Sequence, residues 1–154
     1  MTDGGYRLPS EAEFEYALRA DTEEKYPWEE AEQCDYSNGR DQAYGRENPD
    51  TVFPLADCDD GFIYTAPVGS FRANAFELYD VSGNVWEWTQ DCWNGNYEKA
   101  PSDGSAWETG ECDRRVLRGG GWNFLPVDLR SANRNRLYRD DGNFNVGFRL
   151  ARTP

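Results

Sequence analysis

The stretch Leu78–Trp88 reads LYDVSGNVWEW and carries the strongest structural signal in the chain. Ser82, Gly83 and Asn84 favour turns, glycine because it adopts positive φ angles without steric cost. Directly after them, Val85–Trp88 alternates apolar and polar side chains, which is the pattern of a half-buried strand. The stretch therefore predicts a tight turn that leads into a strand with two tryptophans.

Composition indicates one loop-rich domain. A chain of 154 residues can bury one core of modest size. Aromatic residues make up 15% of the chain, so large rings supply much of the buried area. Fifteen Gly and eight Pro interrupt regular structure, and we expect short helices and strands joined by ordered loops.

Upstream of this stretch, residues 8–19 predict a helix. Ser10 is a good N-cap, and Glu13, three residues later, completes a capping box. Phe14 and Leu18 then recur on one helical face, so the helix has a structural role. We expect it to run to about Arg19, and residues 21–65 beyond it to be acidic and irregular.

Downstream of it, Arg115–Arg118 and Val146–Leu150 predict two more short strands. Gly119–Gly121 follows the first of them, and three glycines permit positive φ angles or close backbone approach. Phosphate-binding loops also use glycines, but the Lys-Ser/Thr pair of such loops does not follow here. A bound nucleotide is therefore not expected.

Charge is segregated along the chain. Residues 1–113 contain 26 acidic and 7 basic side chains, whereas residues 114–154 contain 3 and 9. Either the two parts pack together and neutralise each other, or the basic part meets an anionic partner. A nucleic-acid partner is not expected, because the net charge of −13 repels phosphate. No apolar run approaches the roughly 20 residues of a membrane span, and no signal peptide is recognisable.

The chain contains no histidine. Histidine is the commonest general base and the commonest transition-metal ligand, so catalytic triads, zinc hydrolysis and His-bound iron are excluded within this chain.

Four cysteines are present, Cys34, Cys58, Cys92 and Cys112, and they form no CxxC pair of the kind that indicates zinc. Local pairing, of Cys34 with Cys58 and of Cys92 with Cys112, suits a loop-rich chain. The alternative is four buried free thiols in a reducing cytosol. We favour the disulfides, which would place the protein on a cell surface, in the secreted fraction or on a phage particle.

Six segments, taken in order, resemble the formylglycine-generating enzyme (sulfatase-modifying factor) family. They are Tyr6–Ala17, Tyr26–Trp28, Ala66–Gly69, Leu78–Trp88, Arg115–Gly120 and Gly147–Arg149. The resemblance implies an α+β, C-type-lectin-like fold of the formylglycine-generating-enzyme type, loop-rich, with short antiparallel strands and about two helices. It implies one domain over residues 1–154 that corresponds to the C-terminal part of the family domain, either as a compact version or with upstream residues missing.

Two departures from the family pattern concern catalysis. The enzymes of the family carry a copper-binding cysteine pair after the Gly-Gly motif, and the matching positions here are Phe124 and Leu129, with Gly121 in place of a serine. Neither side chain can act as a thiolate. The related iron-dependent sulfoxide synthases need histidines, which are absent. We therefore expect no enzymatic activity, no copper and no haem.

Residues 118–149 resemble the variable region of diversity-generating retroelement target proteins, in which template adenines are mutagenised and Asn codons scatter into other residues. The segment has no clean period of 2 or 3.6, and its rings, Asn and Asp resemble the composition of antibody-like contact surfaces. The candidate ligand-binding residues are Trp122, Asn123, Phe124, Leu125, Val127, Asp128, Asn135, Leu137, Tyr138, Asp141, Asn143 and Phe144. Of these we expect seven to share one solvent-facing surface: Phe124, Leu125, Val127, Asp128, Leu137, Tyr138 and Phe144. The alternative is an irregular loop whose apolar side chains enter the core.

The resemblance also implies two calcium sites. The first would use the carboxylates of Asp80 and Glu87 with the carbonyls of Gly83 and Val85, and hard oxygen ligands of this kind suit Ca²⁺. The second would use Asn38, Gly39, Asp60 and Phe62, but its alignment crosses a loop of variable length. For both, the alternative is a capped turn with solvated carboxylates.

The expected function is non-catalytic ligand binding by a diversified lectin-fold surface, with an unknown macromolecule or surface, most simply a protein, as partner. Two alternatives stay open at this point. One is an oxygen-dependent enzyme of the formylglycine-generating type that lacks part of its chain, and the other is an accessory structural module. A lectin fold does not by itself imply sugar binding.

Overall fold

Residues 5–152, apart from the side chain of Glu30, are described by the computed structural model and form an α+β fold made mostly of loops. The elements are β1 (Tyr6–Arg7), α1 (Glu11–Arg19), α2 (Gln33–Tyr36), α3 (Gln42–Glu47), β2 (Trp86–Trp93), β3 (Glu111–Arg118), β4 (Asn135–Tyr138), β5 (Val146–Gly147) and β6 (Ala151–Arg152), with 3-10 turns at Glu30–Glu32 and Pro126–Leu129. The predicted fold class is confirmed. Residues 1–4, in which no signal peptide is recognisable, and residues 153–154 lie outside the described range.

Two sheets organise the chain. The larger has the strand order β4-β3-β2-β5, and β1 pairs with β6 in a second, two-stranded sheet. β3 runs antiparallel to both β2 and β4, as predicted, but β5 runs parallel to β2, with Val146 opposite Trp86. The two edges of the larger sheet are therefore formed by β4 and β5, which are both contributed by the C-terminal segment.

α1 forms as its capping signals predict. The backbone N–H of Glu13 donates to the Ser10 hydroxyl at 3.0 Å, and the N–H of Ser10 donates to the Glu13 carboxylate at 2.8 Å. Phe14 and Leu18 are buried and pack with Val81 in the core. No helix among residues 5–152 combines the length and apolar character that crossing a membrane requires.

Two sequence expectations need correction. The stretch 21–65 is not wholly irregular, because α2 and α3 form within it. Asp41 caps α3, since its carboxylate accepts from the N–H of Tyr44 at 3.1 Å. The strand expected at Val146–Leu150 is only Val146–Gly147, because Arg149 turns inward to bind Glu87.

The acidic segment is tied down by disulfides. Cys34 is bonded to Cys58 and Cys92 to Cys112, which confirms the expected pairing. The first bridge joins α2 to the loop that follows α3, and the second joins β2 to β3. Cross-links over 24 and 20 residues each stabilise a fold by about 3 kcal/mol, chiefly by constraining the unfolded chain.

Acidic and basic parts of the chain pack together at the N-terminus of α1. Arg118 is fully buried and binds the carboxylate of Glu15. Arg134 binds both carboxylate oxygens of Glu11, at 2.6 and 2.9 Å. Mutual neutralisation of the two parts therefore accounts for some of the charge segregation seen in the sequence.

Candidate ligand-binding surface

Four aromatic rings from three parts of the chain meet at Trp122. The ring of Trp122 lies 5.2 Å from that of Tyr64, 6.0 Å from that of Phe144 and 6.1 Å from that of Tyr44, measured between centroids. Trp122 itself is 9% exposed, whereas Tyr64 and Phe144 are 61% and 73% exposed. We call Tyr44, Tyr64, Trp122 and Phe144 the aromatic surface.

The turn at residues 82–84 positions this surface. Gly83 has a φ of 75°, and a Cβ atom there would lie 2.3 Å from the carbonyl oxygen of Asn38, so only glycine fits. The carbonyl of Asn84 accepts from the N–H of Trp122 at 2.9 Å. The pairing of Val146 with Trp86 brings Phe144 to the same place. The motif that predicted a turn and a strand thus also supports the rings.

Asn123 and Phe124, both half-buried, continue the surface inward. The ring of Phe124 packs edge-on against Trp86 at 5.3 Å, and its carbonyl accepts from the N–H of Arg40 at 3.0 Å. Asn145 donates to the side-chain oxygen of Asn123 at 3.0 Å. These two candidates therefore have packing roles in addition to any role in binding.

Leu125, Val127 and Asp128 lie at the 3-10 turn Pro126–Leu129. Val127 is 44% exposed, and the other two are half-buried. The turn is held by Tyr26, whose hydroxyl donates to the carbonyl of Pro126 at 3.1 Å.

β4 carries the remaining candidates away from the aromatic surface. Asn135 and Leu137 are half-buried, and Tyr138, which is exposed, accepts a hydrogen bond from Arg114 at 2.8 Å. β4 and β5 are opposite edges of the four-stranded sheet, and Phe144 immediately precedes β5. With strands about 4.8 Å apart, the two edges are separated by about 14 Å.

The structure distributes the candidates over both edges of the larger sheet, and the expectation of one shared surface stays a prediction. Strand order divides the candidates, because β2 and β3 lie between the two C-terminal edge strands. Trp122, Asn123, Phe124 and Phe144 are brought together, Asn135, Leu137 and Tyr138 lie at the other edge, and Asp141 and Asn143 are exposed in the turn between. Trp122 is also buried rather than solvent-facing.

At the first implied calcium site, the carboxylate of Glu87 is already paired with an arginine. Both oxygens of Glu87 accept from Arg149, at 2.5 and 2.6 Å. Burial raises the pKa of Glu87, and the adjacent Arg149 opposes that shift. Asp80 accepts from the N–H of Gly69 at 2.6 Å, and its other oxygen is buried without a partner. The set around Gly83 and Val85 thus offers one free carboxylate oxygen, and it fits a cation only in part.

The second implied site fits a cation better. The Oδ1 atom of Asn38 and the Oδ2 atom of Asp60 are both buried without a hydrogen-bond partner. Burial raises the pKa of Asp60 to about 7, and the neighbouring carboxylate of Asp41 adds to the shift. Unsatisfied buried oxygens cost about 1–3 kcal/mol each, which a bound cation would relieve. Gly39 directly follows Asn38, and Phe62 lies two residues after Asp60.

A calcium ion at either site would need amide and backbone carbonyl oxygens as ligands in addition to carboxylates. Among the described residues, no group of three or more His, Cys, Asp or Glu side chains could hold a metal ion. Mixed sets of carboxylate, amide and backbone carbonyl oxygens are nevertheless normal for Ca²⁺.

The positions that match the catalytic cysteines of the family have structural roles here. Leu129 is fully buried, and its side chain fills the space beside Gly39 and Gly120. Phe124 packs on Trp86. The described part of the chain contains no free cysteine, since all four are in disulfides.

The fold and the motifs define a class of protein. Comparison with known proteins identifies that class. The family model for the sulfatase-modifying factor enzyme 1-like domain matches residues 2–154. The formylglycine-generating enzyme of Thermomonospora curvata is 34% identical over 99% of this chain and 51% of its own. The Bos taurus protein named inactive C-alpha-formylglycine-generating enzyme 2 is 33% identical over 96% of this chain and 44% of its own. The chain belongs to the sulfatase-modifying factor (formylglycine-generating enzyme) family.

Two solved structures share the fold closely. PvdO from Pseudomonas aeruginosa superposes with a TM-score of 0.81 at 39% identity, covering 96% of this chain and 52% of that one. Treponema denticola variable protein 1 superposes with a TM-score of 0.75 at 28% identity, covering 97% and 48%. The resemblance to a variable protein is thereby confirmed at the level of the fold. The chain spans about half the length of the relatives it matches.

Sequence reasoning missed the part of the surface that precedes the turn at residues 82–84. Tyr44 and Tyr64 lie in the acidic stretch, which shows no periodicity to predict their position. Only their tertiary contacts with Trp122 reveal them.

Proposed function

We propose that this protein is a non-catalytic, ligand-binding member of its family that binds through the aromatic surface. The observation that carries the proposal is the exposure of Tyr64 and Phe144 around a buried Trp122. Aromatic anchors on a rigid base dominate interface energetics, because rings bury large areas and lose few rotamers. Asn123 and Asn143 at the margin supply hydrogen-bonding groups.

The ligand proposed is a protein or peptide, displayed on a macromolecule or surface. The net charge of −13 disfavours nucleic acid. Likeness to a variable protein in the solved structures supports diversification of residues 118–149. Because the candidates lie at both edges of the sheet, we place the primary binding site at the aromatic surface. The second, separate group consists of Asn135, Leu137, Tyr138 and Asp141.

Calcium is proposed as a structural ion at the Asn38–Asp60 position, with the Asp80–Glu87 position second. The two disulfides support an oxidising location, on a cell surface, in the secreted fraction or on a phage particle.

Selection from a random peptide library tests the proposal. Wild-type protein is expected to enrich peptides that a Tyr64→Ala/Phe144→Ala variant does not bind. A Tyr6→Ala/Val68→Ala variant is the matched control, because it removes exposed apolar side chains elsewhere on the molecule. Peptides that bind all three proteins equally, or no enriched peptides at all, would overturn the assignment of the surface.

A second candidate function is oxygen-dependent oxidation of a cysteine substrate, favoured by the relatives named formylglycine-generating enzyme. Phe124 and Leu129 argue against it, because neither can supply the thiolate that the resemblance requires. An oxygen-electrode assay with a Cys-X-Pro-X-Arg peptide and copper is expected to show no consumption above the protein-free rate. Turnover that depends on the protein would favour the enzyme instead.

A further inference from the structure

Arg40 stands next to the aromatic surface with its backbone fixed and its side chain between two rings. Its N–H donates to the carbonyl of Phe124, and its own carbonyl accepts from the N–H of Ala56 at 2.9 Å. The guanidinium carbon lies 5.1 Å from the ring centroid of Tyr44 and 5.0 Å from that of Phe53. Stacking on both rings restricts the rotamers of the side chain.

The guanidinium of Arg40 has no anionic partner in the described structure. Its Nε atom is buried without an acceptor, and no described carboxylate of residues 5–29 or 31–152 lies within ion-pair distance. Arg118, Arg134 and Arg149, whose side chains are 0%, 12% and 29% exposed, all bind carboxylates. A charged donor that is buried and unsatisfied loses hydrogen-bonding free energy, so an acceptor from outside is the missing group.

A cleft gives such an acceptor access to Arg40. The cleft has a volume of about 410 Å³ and is bounded by Tyr44, Phe53 and the loop at residues 47–52. Val52 and Phe53 are 90% and 56% exposed, so its apolar wall is open to a ligand. Tyr44 belongs to both the cleft and the aromatic surface, which makes the two continuous.

We propose that this cleft binds a single carboxylate attached to an apolar body, with Arg40 as the anchoring residue. The planar donor fork of arginine matches the two oxygens of a carboxylate, and the rings already hold it in place. Glu47 and Asp50 also line the cleft and are exposed, so direct pairing with Arg40 offsets their repulsion for one carboxylate, and further negative charges on a ligand would be repelled. The inference rests on the proposed function and names the chemistry of the group that its ligand presents.

Four short peptides test the proposal and separate two sources of the carboxylate. Acetyl-Phe-Glu-amide offers a side-chain carboxylate and acetyl-Ala-Phe offers a chain terminus, and acetyl-Phe-Gln-amide and acetyl-Ala-Phe-amide are their uncharged counterparts. Affinities are measured by titration while the Nε–H resonance of Arg40 is followed by NMR. We expect at least one acid to bind about tenfold more tightly than its counterpart, as a charge-assisted hydrogen bond allows, and to shift that resonance.

Variants of Arg40 decide whether the preference belongs to this residue. Arg40→Gln is expected to reduce the preference for the acid to about one, and Arg40→Lys, which keeps the charge but not the fork, to restore it in part. Arg46→Gln is the matched control, because Arg46 lies on α3, is exposed and already pairs with Asp59. If circular dichroism shows that Arg40→Gln is unfolded, the comparison with Arg40→Lys and the shift of the Nε–H resonance decide whether Arg40 is the anchor.

Three outcomes would overturn the inference: equal affinity for acids and amides, a preference that survives in Arg40→Gln, or no binding of any peptide up to its solubility limit. These outcomes are distinct from failure of the proposed function. Library peptides that need Tyr64 and Phe144 but tolerate Arg40→Gln would leave the aromatic surface in place and remove only the anchor.

Discussion

At the scale of single residues, exposure separates side chains that bind from side chains that hold the fold. Tyr64 and Phe144 are mostly exposed, and Trp122, which both of them contact, is buried. Substitution of Tyr64 or Phe144 is therefore expected to change stability little, whereas substitution of Trp122 is expected to lower it strongly, although all three residues are aromatic.

Replacement of the exposed rings is expected to cost little stability. In Tyr64→Ala/Phe144→Ala the free energy of unfolding should fall by about 1 kcal/mol or less, because exposed side chains contribute within about 0.5 kcal/mol each. Trp122→Ala is the contrasting variant, and loss of a buried ring typically costs about 3–5 kcal/mol. Urea denaturation measures both. A double variant as unstable as Trp122→Ala would show that the exposed rings are part of the core and not a binding surface.

At the scale of elements, the loops depend on cross-links more than on regular structure. α2 and α3 are four and six residues long, shorter than helices that are stable alone. The bond between Cys34 and Cys58 joins α2 to the loop after α3, and Tyr44 of the aromatic surface lies on α3. The position of the ring therefore depends on the bridge.

Loss of this bridge is expected to lower stability and to weaken binding together. Cys34→Ala/Cys58→Ala should lower the free energy of unfolding by about 3 kcal/mol, as expected for a loop of this length. Cys92→Ala/Cys112→Ala is the control, because it removes a bridge of similar loop length between β2 and β3, remote from Tyr44. Affinity for a selected peptide should fall in the first variant only. Equal loss of affinity in both would mean that general destabilisation, rather than the position of α3, is responsible.

At the scale of the whole molecule, the acidic loops raise the question of what neutralises them. Arg118 and Arg134 neutralise acidic residues of helix α1 instead, since they bind Glu15 and Glu11 across more than 100 residues of sequence. The Oδ1 atom of Asn38 and the Oδ2 atom of Asp60 are buried without a hydrogen-bond partner, and we propose a cation as that partner.

Calcium is expected to raise the melting temperature. An ion that binds only the folded state stabilises it by about 2.7 kcal/mol when present at a hundredfold excess over its dissociation constant. The difference between melts with calcium and with EDTA should disappear in Asp60→Asn and persist in Asp59→Asn, whose side chain is exposed and pairs with Arg46. A difference that survives Asp60→Asn but is lost in Asp80→Asn would place the ion at the other site. Identical melts for the wild-type protein would remove calcium from both.

What the sequence by itself determined is local or carried by resemblance. The capping box at Ser10 and the turn and strand after Ser82 depend on neighbouring residues, and both form as predicted. The disulfide pairing followed because each pair lies close in sequence, and the fold class followed from six ordered motifs. Each of these is settled by short-range geometry or by shared ancestry of the motifs.

What only the tertiary structure decided is which distant residues meet. Strand order placed β4 and β5 at opposite edges and so divided a segment that is continuous in sequence. Packing placed Tyr44 and Tyr64 beside Trp122, and Arg40 beside Tyr44, although the acidic stretch that carries them has no period. It also paired Arg149 with Glu87 and left the Oδ2 atom of Asp60 without a hydrogen-bond partner. The physical reason is that long-range contacts follow from how the surfaces of whole elements fit together, and a run of adjacent residues contains no record of that fit.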